Sequence, residues 1–182
     1  MKNMKQTHYI LAIFLVLLLS STSKANDLNL SPIEKDSRYM QIALEDAKAN
    51  PRAPFAAIIV DNKTGEILCK GLNAAKHNPT LHGEMVAINN CSSKHPGINW
   101  SETTLYTTTE SCTMCQSAIV WAKISRTVFG SSIEYLKKCG WSQIDIDSQF
   151  VVSRSPFYQG TITGGVLADR TNSLFCPRQN IP

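Results

Sequence analysis

No sign of charge dominates this 182-residue chain: 18 Lys and Arg stand against 14 Asp and Glu, a formal net charge of +4. A dense Lys/Arg run is also missing. Lys137-Lys138 and Arg126 read as isolated surface charges, whereas a protein that grips a nucleic-acid backbone usually displays a basic patch or stripe. That absence weighs against RNA without forbidding it, because folding can gather distant cations on one face. Internal repeats and low-complexity segments are absent as well. Beyond the first 20 residues there is no apolar run long enough to predict a stable membrane span.

What is present begins with a leader. Lys2 and Lys5 precede the apolar run Tyr9 to Leu19, and Ser23-Lys24-Ala25 is a small-x-small cleavage pattern. This predicts a signal peptide over residues 1–25, cut after Ala25, and a secreted or periplasmic protein. The apolar run falls short of the roughly 20 residues of a membrane span, so an uncleaved anchor is the alternative. Residues 26–182 then form a single domain. Cleavage removes Lys2, Lys5 and Lys24, leaving 15 basic residues against 14 acidic ones, so most of the net charge belongs to the leader.

Six cysteines in an exported chain raise the question of disulfides. Cys112 and Cys115 could pair unless a metal protects them. Cys69, Cys91, Cys139 and Cys176 allow three pairings that the sequence does not separate, and each could equally be a small buried hydrophobe.

Ser31-Pro32-Ile33-Glu34 is a helix start with a capping box, and Ile33, Met40, Ala43, Leu44 and Ala47 give that helix one apolar face up to Asn50-Pro51. Phe55 to Val60 reads as a strand buried on both faces, with a turn at Asp61 to Gly65 into a second strand, Glu66 to Leu72. Asn78-Pro79-Thr80 delivers His82 to a helix running to about Ser92, with Met85, Val86 and Ile88 predicted to face inward. Thr103 to Thr109 is a strand, and Cys112 to Ile124, apolar nearly all round, a buried helix. A strand at Thr127 to Phe129, a short helix with Tyr135 and Leu136, the apolar stretches Ile144 to Ile146 and Phe150 to Val152, and a terminal helix after Gly164-Gly165 complete the order. This rhythm predicts an α/β domain with parallel strand pairs.

Two clusters carry the chemistry. His82-Gly83-Glu84 and Cys112-Thr113-Met114-Cys115 each stand where a helix begins after strand-like sequence. One imidazole and two thiolates suit Zn²⁺, and three protein ligands leave a fourth tetrahedral position for water. Cys112 and Cys115 share a helix face, and the positive end of the helix dipole favours their thiolates. Glu84 would face the water. A structural site is the alternative, with His77, His95 or a spare cysteine as fourth ligand.

His-x-Glu followed by Cys-x-x-Cys is the known pattern of zinc deaminases. Over roughly Pro54 to Gly130 the chain resembles the cytidine and deoxycytidylate deaminase-like superfamily, in the branch of guanine deaminases and tRNA adenosine deaminases. The resemblance implies a three-layer α/β/α sandwich with a mixed sheet of about five strands, and commonly a homodimer. It also implies hydrolytic deamination: Glu84 takes a proton from a water acidified by zinc, passes it to the ring nitrogen beside the amidine carbon, and later protonates the departing amine.

Three positions depart from the family's usual residues. Ser111 stands where Pro precedes the first cysteine, and serine there can cap the helix. Pro54-Phe55-Ala56-Ala57 replaces Pro-Phe-Gly-Ala, and His82-Gly83-Glu84 replaces His-Ala-Glu, which loosens a helix start.

Asn73 matches a substrate-contacting Asn of the purine-deaminating branch, although a strand-end turn residue is the plainer reading. Phe55 could stack on a base or lie in the core. His77 and Asn78 could touch substrate or be exposed loop residues. Ala118 to Ile124, with Trp121, resembles the guanine deaminase helix, and Gly165-Val166-Leu167-Ala168-Asp169 resembles a segment of the tRNA adenosine deaminase tail. The favoured expectation is an exported zinc hydrolase acting on a free nucleobase or nucleoside, guanine or guanosine first. A tRNA adenosine deaminase is the alternative. A further one is an inactive zinc-stabilised binding domain, with Ser111, Ala56 and Gly83 as signs of drift.

Overall fold

A computed structural model describes residues 30–176. The predicted signal peptide lies outside the described residues. The chain divides after Lys35, and the fold that carries the site belongs to the unit from Asp36 onward. Helix α1 (Pro32–Ala47) runs across that division. At its start the Glu34 carboxylate accepts from the Ser31 N–H at 2.8 Å, and Glu34 N–H donates to Ser31 Oγ at 3.3 Å, the expected capping box.

The strands are β1 (Ala56–Asp61), β2 (Ile67–Leu72), β3 (Thr103–Thr109), β4 (Arg126–Ser131) and β5 (Thr161–Thr163), and the helices after α1 are α2 (Gly83–Lys94), α3 (Thr113–Ala122), α4 (Ile133–Lys138), α5 (Ser148–Ser153) and α6 (Ala168–Phe175). They build one mixed sheet in the order β2-β1-β3-β4-β5. β1 is antiparallel to β2 and β3, while β3, β4 and β5 are parallel to one another.

Alternation along β1 sorts two cores. Ile58 and Val60 join Tyr39, Met40 and Leu44 of α1 with Tyr106 and Val128, while Ala57 and Ile59 join Ala87 and Cys91 of α2 with Leu105, Ile119 and Ile124 on the other face. Helices therefore cover both faces of the sheet, the three-layer α/β/α arrangement.

Several expectations need correction. The fully buried residues of α2 are Gly83, Glu84, Ala87 and Cys91; Ile88 is half-buried and packs against the core as expected, while Met85 and Val86 are only half-buried. Strand and helix approach closely there: a methyl on Gly71 of β2 would lie 2.3 Å from the Ala87 nitrogen, so β2 has no room for a side chain at that position. Helix α3 is not buried all round, since it ends in a left-handed cap at Lys123 (φ 62°) and leaves Trp121 75% exposed against Phe157. Ile144, Ile146 and Phe150 are exposed, because residues 141–147 form no strand and α5 turns Phe150 outward.

All four spare cysteines are paired. Cys69–Cys91 ties β2 to α2, and Cys139–Cys176 ties the end of α4 to the end of α6. They are thus unavailable as thiolate ligands.

Candidate active site

Parallel β3 and β4 place the start of α3 at the carboxyl end of β3, where α/β sheets form their ligand crevices. The two clusters meet there as matching local structures. His82 is the N-cap of α2 (φ −67°, ψ 163°) and Cys112 the N-cap of α3 (φ −62°, ψ 168°). Neither side chain caps its own helix, so both stay free to point elsewhere. Each carbonyl closes the first helical turn, accepting from Val86 and Gln116 respectively.

Ser111 therefore precedes the cap instead of forming it, because the extended backbone of the N-cap falls on Cys112. Its fully buried hydroxyl lies close enough to Glu84 to favour the charged carboxylate, yet makes no hydrogen bond of normal geometry.

His82, Cys112 and Cys115 bring their ligand atoms within 4.8 Å of one another. A nitrogen and a sulfur on one tetrahedral zinc at ordinary bond lengths lie about 3.6 Å apart. The separation of His82 Nδ1 and Cys112 Sγ is 3.6 Å. Two soft thiolates and one imidazole at that spacing fit zinc. Among the described residues the group has three members, and His77 and His95 are not among them. His95 Nε2 lies 3.3 Å from Leu68 O.

The neighbouring Cys115, with His82 alongside, lowers the Cys112 pKa to about 4 despite partial burial. Cys112 beside it and burial push Cys115 up. His82 is raised, chiefly by its contact with Cys112. Glu84 is 4% exposed, and burial pushes its carboxyl up, reinforced by the nearby Cys112 charge.

His82, Glu84 and Cys112 floor a cleft of about 150 Å³. Phe55, Asn73, His82, Glu84 and Cys112 line it together with Thr109, Glu110, Trp141, Ser142 and Gln143. Phe55 is both a wall and a packing residue, its ring 5.1 Å from that of Trp141 and 5.0 Å from that of Phe175. Asn73 shapes a turn through its Oδ1, which accepts from Ala75 N–H at 3.1 Å, and Nδ2 makes no hydrogen bond among the described residues. His77 and Asn78 are exposed and do not line the cleft. Asn78 instead caps its own turn by accepting from Thr80.

Glu110 and the segment Trp141 to Gln143 escaped the sequence reading. Glu110 is 8% exposed and serves two helices: Oε2 accepts from Ile133 N–H at the start of α4, and Oε1 from the Ser148 N–H and hydroxyl at the start of α5. Only its adjacency to the cysteine motif could have drawn notice. The Trp141 segment has no periodicity, and Cys139 beside it was the one available signal.

The chain matches the model of the cytidine and deoxycytidylate deaminase zinc-binding region over residues 33–131. A tRNA-specific adenosine deaminase of Buchnera aphidicola is 34% identical over 146 residues, 78% of this chain and 86% of that one. Among solved structures, a guanine deaminase from Nitrosomonas europaea is similar with a TM-score of 0.63 at 22% identity, over 80% of this chain and 82% of the other. A tRNA:A34 deaminase structure is similar with a TM-score of 0.63 at 21% identity, over 75% of this chain and 98% of that one.

Proposed function

The chain belongs to the cytidine and deoxycytidylate deaminase family, and from that premise we propose that it is a zinc-dependent aminohydrolase of a free nucleobase or nucleoside, guanine or guanosine first. The observation that carries this is the convergence of His82, Cys112 and Cys115, within 4.8 Å of one another, at a cleft lined by His82, Cys112 and the buried carboxylate of Glu84.

His82, Cys112 and Cys115 are the residues that would hold zinc. Zinc bound there supplies a water acidified to a pKa of about 7. Glu84 carries protons. Its burial favours the protonated form and so makes the carboxylate a better acceptor of a proton from water, which then passes to the ring nitrogen of the substrate. A C–O bond forms at the amidine carbon; Glu84 then takes the proton of the newly added hydroxyl and gives it to the exocyclic nitrogen, and the C–N bond breaks to release ammonia as the C=O forms. Phe55 and Trp141 offer aromatic surface to a planar ring, and Asn73 and Gln143 offer amides to its edge.

The size of the cleft supports a small substrate. About 150 Å³ is well below the roughly 300–1,000 Å³ of drug-sized ligand sites. The guanine deaminase neighbour supports a purine. Incubating zinc-loaded protein with a panel of bases and nucleosides while measuring ammonia tests the reading, and silence across the panel would count decisively against it.

A tRNA adenosine deaminase is the second reading, favoured by the Buchnera relative. Inosine formed in an anticodon stem-loop, with binding that weakens steeply as salt rises, would promote it.

A further inference from the structure

We propose that the Cys139–Cys176 disulfide is a specificity-determining staple: it holds the wall of Trp141, Ser142 and Gln143 against the cleft, and cutting it weakens capture of a planar base while the zinc ligands and Glu84 stay in place. The kinetic part of this inference rests on the deamination reading above. The structural part does not.

Apart from its two ends, the wall segment is held by one ion pair, Lys137 with the exposed Asp145. Residues 141–147 join no strand or helix, so they gain nothing from the sheet's hydrogen bonds. At the far end, Ser148 is anchored by Glu110. At the near end, Trp141 N–H donates to Leu136 O, and its indole Nε1 donates to Phe175 O at 2.9 Å. The indole therefore depends on where the end of α6 lies.

Covalent chemistry decides that position. Cys139 is two residues before Trp141, and Cys176 is the residue after Phe175, so the disulfide and the indole hydrogen bond close one small ring between the same two segments. Phe55 leans on both partners, 5.1 Å from Trp141 and 5.0 Å from Phe175. Releasing the end of α6 would thus loosen two aromatic surfaces of the cleft together. His82, Glu84, Cys112 and Cys115 stand instead on the first turns of α2 and α3, and α2 has its own tie to β2 through Cys69–Cys91.

The two bridges differ in access. Cys69 and Cys91 are 2% and 0% exposed, whereas Cys139 and Cys176 are half-buried. A water-soluble phosphine should therefore cut the second bridge first. One phosphine and one water become a phosphine oxide as the S–S bond is replaced by two thiols.

The full zinc-loaded chain is compared with its Cys139→Ser/Cys176→Ser variant, and with wild type treated with phosphine until mass shows only Cys139–Cys176 open. On whichever base turns over, KM should rise about tenfold or more while kcat stays within about twofold, the split expected when a binding wall is displaced and the chemistry is not. Zinc content should be unchanged, and amide hydrogen exchange over residues 140–147 should quicken with residues 83–94 and 112–122 unaffected. An unchanged KM with the bridge open overturns the proposal, as does a joint fall of kcat and zinc content. If no form turns over any base, the deamination reading fails by itself. The exchange experiment then decides: faster exchange at 140–147 supports the staple and unchanged protection overturns it. Should the double variant fail to fold, the phosphine-treated wild type carries the same measurements.

Discussion

A methyl group on Gly71 would lie 2.1 Å from the carbonyl oxygen of Gly83. Strand β2 and the first turn of α2 thus meet backbone to backbone, at the turn that carries His82 and Glu84. Gly83 is equally confined on its other side, where a Cβ would sit 2.7 Å from Phe55 O and 3.2 Å from the Ala56 Cα. The two positions that depart from the family's usual Ala and Gly, Gly83 and Ala56, are therefore neighbours here, and the glycine at the helix start sits where the backbone of Phe55 and Ala56 leaves little room for a side chain.

Gly83→Ala should accordingly destabilise the protein by about 1–3 kcal/mol, the usual cost of overfilling a packed site, although alanine is the better helix former. Adding Ala56→Gly should recover part of that loss, and denaturant unfolding of both single variants and the double variant measures the coupling. Purely additive effects would separate the two positions.

Glu84→Gln should keep one zinc per chain and lower kcat by about 10²–10⁴, the range for removing a positioned proton carrier. The amide preserves shape and hydrogen bonding but cannot shuttle a proton. Metal analysis beside ammonia release checks it, and activity within about tenfold of wild type would remove Glu84 from the chemistry.

Cys115→Ser should abolish stoichiometric zinc, because a hydroxyl is a poor substitute for a thiolate on this ion. In wild type, chelation should lower the melting temperature and zinc should restore it, since an ion that binds only the folded state stabilises that state. Unchanged zinc content in the variant would show that Cys115 is not a ligand.

Glu110→Ala should cost about 2–4 kcal/mol, because it strands the buried N–H groups of Ile133 and Ser148 that the carboxylate accepts. Its zinc content should remain at the wild-type level, since Glu110 is not among the three clustered ligands. Urea unfolding and metal analysis test both halves, and a loss of zinc with little loss of stability would reverse the assignment.

Elements with a strong local pattern were legible without coordinates. The apolar run of β1, the β-branched run of β3 and the Ser31–Glu34 capping box each state their structure through neighbours in sequence. So do the two clusters, because a two-residue spacing at a helix start and a three-residue spacing on a helix face bring their side chains together locally. The helix faces were less legible. Met85, Val86 and Ile88 are the larger apolar residues of α2, yet its fully buried positions go to Gly83, Glu84, Ala87 and Cys91, with Gly83 and Ala87 lying against Gly71.

By itself, then, the sequence determined the type of chemistry: an imidazole, two cysteine sulfurs and a carboxylate at helix starts that each follow a strand. Tertiary structure alone decided the cysteine pairing, the demotion of Ser111 from cap to its neighbour, and the far wall of the cleft. Trp141 and Glu110 line the cleft from separate parts of the chain, and Phe175, from a third, packs against Trp141. No local pattern encodes their meeting, because it depends on where α4, α5 and α6 dock, and that is settled only when the whole sheet has been covered.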